Sequence, residues 1–91
     1  MPYIKDDRRV ILDPFIVQLQ TLIEKPGELN YVISKLTEKL AIKLGNNYHA
    51  HSAARAAISD AADEYYRRVM FPLEDDAIAR NGDVFEGAFK S

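Results

Sequence analysis

The sequence predicts an all-α fold: an antiparallel helical hairpin, a long third helix packed across it, a short fourth helix and an extended C-terminal tail. Three observations point there. Apolar residues recur every three or four positions in three separate stretches. Proline and glycine fall between those stretches, and nowhere does a sustained period-two alternation mark a strand. The composition, 47% apolar and 29% charged over 91 residues, is that of an ordinary folded domain and predicts one domain spanning residues 1–91.

The elements follow in order. Asp6 or Asp7 caps a short helical turn through Leu12, which Pro14 interrupts. Asp13-Pro14 reads as the start of the first helix, an N-cap acceptor followed by proline where a missing N–H costs nothing. Phe15, Ile16, Leu19, Leu22 and Ile23 then share one face, and Lys25-Pro26-Gly27 ends it. The second helix runs from Pro26 or Glu28 to Leu44, with Gly45 as its C′ residue and a stripe of Leu29, Val32, Ile33, Leu36, Leu40 and Leu44. So short a link makes the two antiparallel neighbours.

Asn46 and Asn47 form a turn, and a third helix extends from about Ala50 to Phe71. At ~1.5 Å per residue it is about 33 Å long. Ala54, Ala57, Ile58, Ala61, Tyr65 and Val69 share one side, and the alanines admit a close neighbour. Pro72 stops or kinks this helix. Leu73 to Arg80 forms a short fourth helix with acids in its first turn, Asn81-Gly82 turns, and an extended tail follows.

Length and charge bound the function. So small a chain buries only about 60–65% of its unfolded surface, and the long third helix overhangs the hairpin, so a homo-oligomer is expected. The absence of cysteine removes thiolate metal sites and cysteine nucleophiles, and a net charge of −2 argues against general nucleic-acid binding. No apolar run of export-signal or membrane-spanning length is present, which predicts a cytoplasmic protein with no membrane partner.

The segments Met1-Pro2-Tyr3-Ile4, Leu12-Asp13-Pro14, Gly27-Glu28-Leu29-Asn30-Tyr31-Val32-Ile33, Tyr65-Tyr66-Arg67-Arg68-Val69, Glu74-Asp75 and Asn81-Gly82-Asp83-Val84-Phe85 carry a resemblance over nearly the whole chain. The sequence resembles a family of short uncharacterised proteins found mainly in tailed phages and bacterial genomes. The resemblance brings no established chemistry. It implies a phage origin, host cytoplasm as the place of action, and an action on host processes such as the nucleotide signals of antiviral defence.

Asn30 and Tyr31 lie near the free N–H groups at the start of the second helix, while Tyr65, Arg67 and Arg68 lie towards the end of the third. With Asn81 closing over them, they would offer rings for stacking, an amide for a base edge and a guanidinium for phosphate. The leading expectation is a non-enzymatic protein that captures an anionic small molecule, plausibly a nucleotide, at Asn30, Tyr65 and Arg68, with Tyr31, Arg67 and Asn81 as second choices. The plain alternative for the arginines is i,i+4 pairing, Asp63 with Arg67 and Glu64 with Arg68.

Two further readings compete. A protein–protein interaction module that inhibits or adapts a host protein needs no small ligand. A magnesium-dependent nucleotide pyrophosphohydrolase would use Asp60, Asp63 and Glu64, but needs a second acidic motif where the second helix offers only Glu28 and Glu38. His49 and His51 point apart at a helix start and make a weak zinc site. Neither metal nor cofactor is therefore expected.

Overall fold

Helix formation begins upstream of the expected start, at Asp6. The computed structural model describes residues 3–85, and helix α1 spans Asp6–Leu22 with Pro14 inside it. Asp13-Pro14 is thus not an N-terminus. Asp6 and Asp7 sit in the first turn, where the helix dipole favours acids. The Lys5 carbonyl accepts from Arg8 and Arg9 at 3.0 and 3.1 Å. Once that turn exists, extension past Pro14 is easier than a second nucleation, although proline in a helix interior costs about 3 kcal/mol.

Helix α2, Pro26–Lys43, starts with proline in its first turn. The Glu28 carboxylate turns back to accept from the backbone N–H groups of Glu24 and Lys25 at 2.9 and 3.1 Å. This is one half of a capping box; Lys25 has no side-chain acceptor for the reciprocal half. The C-terminus closes as a Schellman motif: Asn46 N–H reaches the Ala41 carbonyl at 3.0 Å and Gly45 N–H the Ile42 carbonyl at 3.2 Å. Gly45, at φ +124°, is the C′ residue that the sequence predicts.

Helix α3 spans Tyr48–Tyr65. Asn47 caps it, its Oδ1 accepting from Ala50 N–H at 2.9 Å. Ser52 therefore lies inside the helix and caps nothing. A π-helical segment, Tyr66–Met70, and helix α4, Phe71–Asn81, follow without a break. Of the two outcomes expected at Pro72, a stop or a kink, the stop does not occur. Pro72 offers no N–H, and the turn before it widens so that Phe71 N–H bonds the Tyr66 carbonyl five residues back. Asn81 is the last residue of α4, and the turn is made by Gly82 at φ +86°.

The structure is all-helical over its regular elements, as the sequence predicts, with the third helix continuing into the fourth. Met1, Pro2 and the expected tail beyond Phe85 lie outside the described residues. The chain forms two compact units, the first ending at Ala61 and the second beginning at Ala62. In the first unit the end of α1 lies along the start of α2, and α2 lies along α3 from Ile33–Leu40 to Ala54–Ala61. Ala41, Ala50 and Ala54 are the buried residues among those described. Small side chains at the α2–α3 turn let the backbones close, and among the described residues every larger apolar side chain keeps contact with water.

Candidate interaction surface

In the first unit, the hairpin stripes meet as the sequence predicts without closing into a core. Leu19, Ile23 and Val32 form the half-buried seam between α1 and α2, and grooves run along both sides of it. The groove bounded by Ile16, Leu19 and Ile23 on α1 and by Leu29, Ile33 and Leu36 on α2 has a volume of about 400 Å³. A second groove, about 270 Å³, separates Ile33, Leu36 and Leu40 on α2 from Ala54, Ala57 and Ala61 on α3. Ile33 and Leu36 line both, so the two grooves join into one apolar face across the three helices. Its polar members are Gln20 and Thr37 alone, and the Thr37 hydroxyl bonds back to the Ile33 carbonyl.

The six residues expected to hold an anion fall into both units. Asn30 and Tyr31 belong to the first; Tyr65, Arg67, Arg68 and Asn81 belong to the second. The Asn30 amide oxygen accepts from the Ser34 hydroxyl at 3.3 Å. Lys35 Nζ sits 5.6 Å from the centre of the Tyr31 ring, a cation–π contact over a face expected to stack on a ligand. At the start of α2 a carboxylate of the chain itself, that of Glu28, sits where an anion would be drawn, accepting from the N–H groups of Glu24 and Lys25 just before the helix.

In the second unit, Arg67 pairs with Glu64 at 2.5 Å, three residues back, instead of with Asp63 four back. Glu64 has the longer side chain of the two acids, and it is the more enclosed, its side chain 12% exposed. Arg68 does not pair with Glu64 as the i,i+4 spacing predicted, and among the described residues it has no ion-pair partner. Tyr65 is well exposed beside it. Asn81 lines a groove of about 540 Å³ floored by Phe71, Ile78, Val84 and Phe85 and rimmed by Glu74, Asp75 and Asp83. Three carboxylates make that rim a poor host for an anion.

The sequence reading did not anticipate the bridge across Pro72. The Tyr66 hydroxyl donates to Glu74 Oε2 at 2.6 Å, eight residues on, and the Tyr66 ring meets Phe71 edge to face at 6.4 Å. Together they tie the π segment to α4. The bond to Glu74, some loss of water, and the negative charges of Glu74 and Asp75 raise the Tyr66 phenol above its ordinary 10.0. The signal was the proline: a helix that continues past it widens a turn, and that turn turns a tyrosine towards an acid two turns on.

Among the described residues no group of three or more His, Cys, Asp or Glu side chains is placed to hold a metal ion. Nor is any described helix long and apolar enough to cross a membrane. The His51 ring instead meets the Asn46 side chain, Nε2 to Oδ1 at 3.0 Å.

A family model described as a domain of unknown function, DUF6899, matches residues 1–84. The chain belongs to this family. No curated protein and no solved structure matches it. Membership agrees with the resemblance to an uncharacterised family and carries no named activity, so the functional reading rests on the surface just described.

Proposed function

We propose that this DUF6899 chain is a non-enzymatic protein–protein interaction module. One observation carries the reading: among the described residues the buried ones are three alanines, while the joined grooves of α1, α2 and α3 present Leu and Ile side chains to water. A helical layer with one apolar face left open is half of a two-layer fold, and a protein surface of that kind is an association surface. The phage-like origin that the family resemblance implies makes a host protein in the cytoplasm one class of partner, to be inhibited or adapted.

The capture of a nucleotide or another small anion is the competing reading. Glu28 at the start of α2 and the acidic rim beside Asn81 weigh against it, while the exposed Arg68 beside Tyr65 is what it has in its favour. The two separate in a thermal melt of the purified chain against mono-, di- and cyclic nucleotides. No nucleotide is expected to raise the melting temperature. Stabilisation approaching about 2.7 kcal/mol at a hundredfold excess over the dissociation constant, lost in Arg68→Ala, would overturn the proposal in favour of anion capture. Magnesium-dependent loss of a nucleoside triphosphate would overturn its non-enzymatic part.

A further inference from the structure

Two features of the first unit are complementary in shape. Helix α1 carries a broad apolar surface opposite a polar stripe of Asp6, Arg9, Asp13 and Gln20: Val10, Ile11, Leu12, Phe15, Ile16 and Val17 are all exposed, Val10 at 71% and Phe15 at 63%. So broad an apolar surface needs cover, yet this segment lines grooves with α2 only through its later residues, Ile16 to Ile23. The α2–α3 groove is an open apolar trough whose α3 wall is three alanines, Ala54, Ala57 and Ala61, with Ile58. Exposed bulky side chains without a socket and an open apolar trough with a largely alanine wall occur on one chain.

We infer that a second copy of this chain fills the groove: in a twofold-symmetric dimer, α1 of each copy lies in the α2–α3 groove of the other. The inference rests on the interaction reading and names its partner. Twofold symmetry makes the exchange reciprocal and self-closing, so both apolar surfaces are covered at once. The exposed α1 side chains, with Leu36 and Leu40 of the groove, leave on the order of 500–1,000 Å² to cover on each copy. A stable interface takes roughly 800 Å² per partner. The groove wall carries no charged residue, which suits the apolar surface of α1, with its stripe of Asp6, Arg9 and Asp13 turned to water.

The test places a photo-crosslinking benzophenone side chain at Phe15 of the full chain and mixes that variant with isotope-labelled wild type. Sedimentation equilibrium is expected to give twice the 10.3 kDa chain mass, and the cross-linked peptides are expected to join α1 of one copy to residues 33–61 of the other. Ala57→Leu, which fills the trough, is expected to weaken association at least tenfold while leaving the helical circular dichroism intact. A dimer cross-linked elsewhere, or one indifferent to Ala57→Leu, overturns the proposed arrangement. A monomer that binds an apolar dye through this face overturns the second copy and leaves the interaction reading standing. A monomer that binds no dye overturns both, because the chain then covers its own face.

Discussion

Replacing glycine by alanine at the two ends of α2, at Gly27 in its first turn and at Gly45 just beyond its C-cap, should shift stability in opposite directions. Gly45 sits at φ +124°, a conformation that side chains rarely adopt. A Cβ there would meet the Asn47 side chain at 3.4 Å, an ordinary contact, so the cost of Gly45→Ala lies in the backbone. That cost is about 1–2 kcal/mol. Gly27 lies in the first turn of α2, and a Cβ there meets nothing within 4 Å. Gly27→Ala then gains about 0.4–1 kcal/mol by restricting the unfolded chain. In a domain of this size 1 kcal/mol corresponds to roughly 4–8 °C in melting temperature. Calorimetric or circular-dichroism melts at one fixed protein concentration should show Gly45→Ala lower and Gly27→Ala higher than wild type. A Gly45→Ala variant as stable as wild type would refute the Schellman closure of α2 and the turn geometry that sets the α2–α3 groove.

Further outcomes follow from individual contacts. Pro14→Ala restores an N–H for the Val10 carbonyl within α1 and should stabilise the chain by roughly 1–3 kcal/mol in urea titrations; destabilisation would mean that the proline ring makes a needed contact. Glu28→Ala removes the acceptor for two backbone N–H groups and should cost about 1 kcal/mol, while Glu28→Gln keeps most of it. The Tyr66 phenol has its pKa raised in the folded state, so its bond to Glu74 favours the fold fully below the unfolded value of 10.0 and loses that contribution as pH rises through the folded value. Ultraviolet titration should show one tyrosine ionising later than the others, and Tyr66→Phe should remove that late step.

The helical stripes, the antiparallel hairpin and the C′ role of Gly45 were legible because each depends on neighbours in sequence. The Leu29-to-Leu40 part of the α2 stripe and the alanine row of α3 line the grooves, while Leu44 lies beyond the end of α2. The prolines were misread for a physical reason. Asp13-Pro14 has the chemistry of a helix start, but a helix already nucleated at Asp6 runs through it. Pro72 has the chemistry of a stop, but a widened turn that bonds Phe71 N–H to the Tyr66 carbonyl accommodates it. Local signals rank such alternatives only when the cost of renucleation is added to them.

The candidate site was less legible. Asn30 lies in the first turns of α2 as expected, while Arg68 lies in the π-helical segment beyond α3; periodicity carries no information on whether two helix ends meet, and the two residues lie in different compact units. The competing carboxylates were visible as residues but not as neighbours: Glu28 folding back onto α2, and Glu74, Asp75 and Asp83 around Asn81. What composition did indicate was the shortage of core. Ninety-one residues with a long alanine-faced helix suggested a need for cover, and the exposed Leu and Ile side chains of α1 to α3 express that need in structure.

The dependence of unfolding on protein concentration tests the need for a partner most directly. If folding and association are one event, the urea midpoint of wild type should rise with concentration, a hundredfold increase adding roughly 2.7 kcal/mol of apparent stability. A midpoint identical across that range, in a chain that unfolds cooperatively, would show that α1, α2 and α3 are stable without a second copy and would contradict the dimer.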